Sequence, residues 1–213
     1  MVFDAGTGAG RCNLFDMSGR LVSYAYREWE YLKDLSSSNK EAMLFDAEQF
    51  KKILFSLCRK VIKQAGISAD EVVAVSATSQ REGMVWLDRF GKEIYAAPSV
   101  DLRGEEATDI LSGKEPFIKE ITGLPVSGMF GLARLLWYKK FNEAVYDRID
   151  TVMMISDWIC YLLCGSKVSE PSVASSSQLF DVKNGKWSSE LLKSVGLLSL
   201  IHISEPTRRS YIS

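Results

Sequence analysis

Hydrophobic and polar positions change period several times along the 213 residues. Val2-Phe3-Asp4 is an apolar strand stub, and Ala5 to Gly10 form a glycine-rich turn. Arg11 to Asp16 read as extended, Met17-Ser18-Gly19 as a turn, and Leu21 to Tyr26 as strand again. Two successive hairpins fit this stretch better than a strand followed by a helix. Between Asp46 and Gly66 the period becomes helical: Phe50, Ile53, Leu54, Leu57 and Val61 make one apolar stripe. Asp46 is placed to cap the first turn with Gln49 reaching back, and Gly66 to end the helix in a left-handed conformation. Such a stripe demands a covering layer, because burying each large apolar side chain contributes roughly 1.5–3 kcal/mol.

The valines of Glu71 to Thr78 predict a buried strand. Gly83 to Leu87 predict another, closed by a turn over Asp88 to Lys92. From Arg103 onward the pattern is helical, most clearly over Leu132 to Phe141 and Ile155 to Leu163. Pro171 and Ser175 to Ser177 read as loop, and Trp187 to Val195 as a short helix. Hairpins followed by alternating helices and strands argue for an α/β domain with a mixed sheet. No internal repeat, heptad or extended linker interrupts it.

Composition narrows the function classes. With 26 basic and 27 acidic side chains the chain lacks a nucleic-acid footprint, and its 46% hydrophobic share suffices for a core. The single histidine, His202, rules out multi-histidine metal sites and leaves little room for a histidine-based nucleophile triad. Cys12, Cys58, Cys160 and Cys164 lack CxxC spacing and read as small buried hydrophobes in a reducing compartment. The N-terminus has no signal-peptide pattern, and the apolar run from Val152 to Cys164 is broken by Asp157 and too short to span a bilayer. A cytoplasmic protein is expected.

The segment Asp4-Ala5-Gly6-Thr7-Gly8-Ala9-Gly10-Arg11 carries the most chemistry. Alternating glycines after an apolar strand let backbone amides face a phosphate oxygen. Asp4 is suited to Mg²⁺ through water, Thr7 to donating its hydroxyl, and Arg11 to steadying phosphate charge. A dinucleotide turn needs a third glycine where Arg11 stands and a helix directly after it. A Walker loop needs GK[ST], which is absent. A plain glycine hairpin is the bland alternative, and a strand–turn–strand phosphate clasp fits best.

Asp4-x-Gly6-Thr7-x-x-x-Arg11 with Phe15-Asp16-x-x-Gly19 resembles the first phosphate motif of the FGGY carbohydrate kinases. The resemblance extends over about residues 2 to 198, through Ser76 to Gly83, Ala97 to Arg103, Ile121-Thr122-Gly123-Leu124-Pro125 and Ile155-Ser156-Asp157-Trp158. It implies a ribonuclease-H-like (actin-like ATPase) fold and transfer of the γ-phosphoryl group of ATP, with Mg²⁺, to a hydroxyl of a small linear sugar or polyol. On this resemblance Asp4, Gly6, Thr7, Gly8 and Arg11 serve the phosphates and metal, while Gln80, Arg81, Glu82 and Asp101 orient the substrate. Asp101 fits a helix-capping carboxylate nearly as well.

Xylulokinases usually carry Gln-Met-His where this chain has Gln80-Arg81-Glu82, and glycerol kinases usually place aromatic residues where it has Ser99 and Met129. The chain therefore looks most like the autoinducer-2 kinase branch, whose substrate is a linear dihydroxypentanedione. Xylulose, ribulose and glycerol kinases are the alternatives within the family. A non-catalytic sugar- or phosphate-binding module, or an actin- or Hsp70-like ATPase half, are the alternatives beyond it. The resemblance implies as partners a small sugar or polyol and a C-terminal kinase domain, with a homodimer as one option, while the balanced charge and moderate hydropathy point to neither nucleic acid nor membrane. The family's general-base aspartate is expected beyond residue 213, so the chain alone is expected to be inactive. Residues 199 to 213 depart from the family pattern and are expected to be a non-native tail.

Overall fold

The computed structural model describes residues 1–197 and the backbone of 202–203 and 205–206. The chain opens with β1 (Val2–Ala5), β2 (Ala9–Phe15) and β3 (Leu21–Glu28), two consecutive hairpins as expected. A two-residue pair, β4 (Leu32–Lys33) and β5 (Met43–Leu44), leads into helix α1 (Ala47–Ala65). Strand β6 (Ser76–Ser79) then joins β1 in parallel, giving a mixed sheet of order β3-β2-β1-β6.

Alternation decides which side of this sheet is covered. Phe3, Ala5, Cys12, Leu14 and Ala25 point inward onto α1, whose buried stripe is Phe50, Ile53, Leu54, Leu57, Cys58 and Val61. Asp46 caps α1 by accepting the Gln49 N–H at 3.0 Å, and Gly66 ends it at φ 69°, a conformation costly for a side chain with a Cβ.

The expected strand over Glu71 to Thr78 is shorter and less buried than its valines suggest. Residues Ala69–Glu71 make a 3₁₀ turn, pairing begins only at Ser76, and Val73 is 79% exposed. Val2 is the first residue of β1 and lies opposite Ser76, so residues before Ser76 have no ladder partner. Strand β6 is also the edge of this sheet among the described residues, flanked by α5, whose Ser156 N–H donates to Ser79 Oγ at 3.1 Å.

The chain then crosses to a second sheet. It contains β7 (Met84–Leu87), β8 (Glu93–Ala97) and, after α2 (Glu115–Thr122), α3 (Gly131–Phe141) and the short α4 (Glu143–Tyr146), β9 (Thr151–Met154). The backbone of 202–203 pairs with β9 in parallel. Strand β7 is buried on both faces: Met84 and Trp86 enter one hydrophobic cluster, Val85 and Leu87 the other. Its unbroken apolar run is what a strand between two cores requires. The Asp88–Lys92 turn forms as expected, with Asp88 Oδ1 accepting the N–H groups of Phe90 and Lys92. Residues Arg103–Leu111 are 3₁₀ rather than α-helix. Helix α5 (Ile155–Cys164) packs Ile155, Trp158 and Ile159 into the same cluster as α1.

Three expectations need correction. After β10 (Val168–Ser169), the predicted loop is instead α6 (Pro171–Ala174), followed by a 3₁₀ turn at Ser175–Ser177, because Glu170 caps it and Pro171 occupies the first helical position. Trp187 belongs to β12 (Lys186–Trp187), paired with β11 (Phe180–Asp181), and the final helix, α7, is only Ser189–Ser194. Among the cysteines only Cys12 and Cys58 are buried; Cys160 is half-buried and Cys164 exposed, and all four are free thiols. The sheet is mixed as expected, although the strands divide between two four-stranded sheets. The proposed non-native tail, 199–213, lies outside the described residues except for its two backbone pairs. No helix among the described residues is long and apolar enough to cross a membrane.

Candidate phosphate and sugar site

The parallel pairing of β1 and β6 sets Ala5 opposite Ser79, so the two strands deliver their following segments to one place. The glycine turn leaves β1 there and Gln80-Arg81-Glu82 leave β6. Carboxyl ends of neighbouring parallel strands are where open α/β sheets place ligands.

No helix follows the turn; Gly10 is already in β2, opposite Ala5. The turn is only partly free for a ligand. Gly6 N–H donates to Ala9 O at 2.9 Å, while the Thr7 and Gly8 N–H groups donate to no acceptor among the described residues. From behind, Trp29 Nε1 donates to Thr7 O at 3.2 Å, Trp29 N to Gly8 O at 3.1 Å, and Tyr31 Oη also to Thr7 O. Gly10 is needed for close approach, since a Cβ there would lie 2.5 Å from the Trp29 ring. In front is a cavity of about 430 Å³ bounded by Gly6, Thr7, Gly8, Ala9, Arg11, Tyr26 and Glu28.

Asp4 and Arg11 pair across the hairpin, Nη1 to Oδ2 at 3.5 Å, in a half-exposed position. Asp4 Oδ1 has no partner among the described residues. An exposed carboxylate oxygen beside free amides suits a hard cation that keeps most of its waters and shares phosphate oxygens. No cluster of three or more metal-ligating side chains exists among the described residues, so Asp4 fits a water-mediated Mg²⁺ rather than a protein cage.

The substrate candidates divide. Gln80 lies nearest the turn, its N–H donating to Ala5 O at 2.8 Å, and its amide is already engaged. Nε2 donates to Tyr31 Oη at 2.8 Å and toward Gly6 O at 3.4 Å, and Oε1 accepts both Ser99 N and Ser99 Oγ at 2.9 Å. Gln80 is thus a crossbeam between the turn and the Ser99 segment. The Arg81 side chain is 77% exposed and that of Glu82 14%. Glu82 has φ 60°, a left-handed conformation rare for a residue with a long side chain. Its carboxylate lies 4.0 Å from Arg81 Nε and accepts no hydrogen bond among the described residues. Burial pushes the Glu82 carboxyl above its ordinary value, against the lowering influence of Arg81 and Arg134.

Asp101 is elsewhere. It is fully buried and enclosed by protein: Oδ1 accepts Met43 N at 3.0 Å, Oδ2 accepts Tyr95 Oη at 2.6 Å, and Arg103 Nε reaches Oδ2 at 2.8 Å. Arg103 is equally buried and also pairs with Asp34 at 2.8 Å. Among the described residues Asp101 is enclosed by these partners as an anchor of the core.

Sequence reasoning missed Tyr31, Arg134 and Ser176. Arg134 is fully buried, donating to Glu82 O at 2.9 Å and Ser99 O at 3.2 Å, with no ion pair among the described residues. The signal was present: every residue of α3 from Gly131 to Tyr138 is buried, and a lone cation in such a helix must find partners inside. Ser176 Oγ lies 3.4 Å from the Glu82 N–H.

Comparison with known proteins gives the family and the fold. The family model for the N-terminal domain of the FGGY family of carbohydrate kinases matches residues 1–206. Autoinducer-2 kinase of Salmonella typhimurium is 34% identical over 208 residues, covering 93% of this chain and 38% of the relative. That of Escherichia coli strain HS is 33% identical over 206 residues, covering 92% and 38%. The chain thus spans little more than a third of the curated relatives it matches. Among solved structures, a xylulose kinase from Brucella ovis superposes with TM-score 0.84 at 21% identity, covering 96% of this chain and 41% of that one. Plasmodium falciparum glycerol kinase with ADP gives 0.83 at 21%, covering 96% and 42%. The fold is that of the actin-like ATPases, and the chain belongs to the FGGY family of carbohydrate kinases, to its N-terminal domain.

Proposed function

We propose that this chain is the phosphate-clasping and substrate-orienting part of an ATP-dependent sugar kinase acting on a small linear sugar or polyol, with linear dihydroxypentanedione, the autoinducer-2 precursor, as first choice. The observation that carries the reading is that the glycine turn and Gln80-Arg81-Glu82 leave the ends of two paired parallel strands, with Gln80 bound directly to Ala5 O and Gly6 O. The about 33% identity to autoinducer-2 kinases supports that substrate, as does the absence of aromatic side chains at Ser99 and Met129.

In this reading Thr7 and Gly8 N–H groups and Arg11 receive the terminal phosphates, and Asp4 orients the waters of Mg²⁺. The bound ion would neutralise charge on the transferring phosphoryl group. Glu82 accepts substrate hydroxyls and Arg81 donates to an oxygen from the solvent side. Phosphoryl transfer rests mainly on such positioning and charge neutralisation. The general base belongs to the portion of the relatives outside this chain, and lack of a base typically costs about 10²–10⁴-fold in rate. The isolated chain therefore binds but does not turn over at a useful rate. Four free thiols are in keeping with a reducing, cytoplasmic setting.

The test is titration calorimetry of the chain against linear dihydroxypentanedione, xylulose, ribulose and glycerol, with wild type and Glu82→Gln. Binding of the pentanedione ahead of the others, lost in the variant, is expected. Preference for another sugar moves the branch, and absence of any binding overturns the sugar-site reading.

A further inference from the structure

Glu82, at φ 60°, occupies a left-handed backbone conformation that is unfavourable for an L-residue outside glycine. Something must hold it there. Two groups contact its peptide units: Ser176 Oγ accepts from its N–H at 3.4 Å, and Arg134 Nη1 donates to its carbonyl at 2.9 Å. The other end of the same guanidinium, Nη2, donates to Ser99 O at 3.2 Å, and Ser99 is in turn fixed to Gln80 through its N–H and hydroxyl. Arg134 is fully buried, its Nε has no partner, and no carboxylate pairs with it among the described residues. A buried cation outside a close ion pair must spend its donors on neutral acceptors, and here they go to two carbonyls from two different segments, with Tyr95 Oη a longer acceptor at 3.5 Å. A planar fork can span two acceptors at fixed separation, which a lysine ammonium cannot.

We infer that Arg134 is a positioning residue: it clamps the carbonyls of Glu82 and Ser99, holds Glu82 left-handed, and so sets the direction of the Glu82 carboxylate toward the substrate. The functional half of this inference rests on the sugar-site reading of Glu82; the structural half does not. Arg134 itself touches no substrate. Its shortest contact with the site is the Glu82 carbonyl, at 2.9 Å.

The test uses the full chain as wild type, Arg134→Lys and Ser176→Ala, the last being a mild variant in case the buried lysine prevents folding. The first measurement is the crystal structure of each folded variant. Glu82 moving to negative φ with its carboxylate redirected supports the inference, and Glu82 unchanged at φ near 60° in both variants overturns it. The second is calorimetric affinity for linear dihydroxypentanedione, xylulose and glycerol, alongside Mg·ADP. Sugar affinity falling at least about tenfold with Mg·ADP affinity unaltered is expected for a lost charged hydrogen bond acting on Glu82 alone. Equal loss of both ligands indicates general structural damage and counts against a positioning role. If wild type binds none of the three sugars, the sugar-site reading fails, while the φ of Glu82 in the variant crystals still decides whether Arg134 sets it.

Discussion

Asp101 distinguishes a core anchor from a substrate ligand, and the substitution Asp101→Asn separates the two. In the wild type one buried carboxylate receives Met43 N–H, Tyr95 O–H and Arg103 Nε–H. The asparagine keeps one acceptor oxygen but turns an NH₂ toward two donors, and it removes the negative charge beside a fully buried guanidinium. Of its two carboxylates Arg103 would retain only Asp34, beside the neutral Tyr138 Oη at 2.7 Å. Breaking a buried pair by removing one partner costs about 3–5 kcal/mol. For a domain of this size that is a fall of about 6–20 °C in melting temperature. Urea unfolding followed by tryptophan fluorescence measures it. A variant within about 1 kcal/mol of wild type, with sugar binding lost, would refute the anchoring argument and return Asp101 to the substrate. The double variant Asp101→Leu/Arg103→Met supplies an internal control: with both charges gone, it should be more stable than Asp101→Leu alone.

Other outcomes follow from single sites. Burial pushes the Asp157 carboxyl up to about 6. Its folded value thus exceeds the unfolded one, near 3.9, so its contribution is present at low pH and is lost as pH rises from about 4 to about 6. Asp157→Asn should therefore gain on wild type by up to about 3 kcal/mol across that window and hold the gain above it; a constant difference in urea titrations at pH 4 to 7 contradicts this. Gly10→Ala drives a Cβ to 2.5 Å from the Trp29 ring and should destabilise by about 1–3 kcal/mol. Gly8→Ala meets nothing within 4 Å and should leave stability unchanged while weakening Mg·ADP binding, read by calorimetry. Glu82→Gly relieves the left-handed strain and should be as stable as wild type or up to about 1 kcal/mol more so, yet bind no sugar. Clear destabilisation in thermal melts would mean that the Glu82 side chain holds the turn together.

Local chemistry is legible wherever one residue's own preference decides. The stripe from Phe50 to Val61, the Asp46 cap, the Gly66 stop and the hairpin turns depend on neighbours a few positions away, and each formed where the pattern placed it. The order of motifs from Asp4 to Trp158 likewise identified the family. Failures came where a distant partner decides. The valines at 72, 73 and 75 have strand character, but among the described residues the β1–β6 ladder begins only with Val2 opposite Ser76 and no strand lies outside β6. Pro171 to Ser177 carry loop residues, yet Glu170 caps the segment into helix.

Periodicity, capping and turn chemistry act over a few bonds, so the main elements, the α/β class and the motif order that marks the family were legible in the chain itself. Only the tertiary structure decided that Asp101 is enclosed with Arg103 and Tyr95, that Gln80 is a crossbeam, and that Arg134 reaches Glu82 from 52 residues away. Whether a polar side chain is free for a ligand depends on which donors and acceptors the packed chain brings within 3 Å of it. That is settled by long-range packing and not by the residue's type.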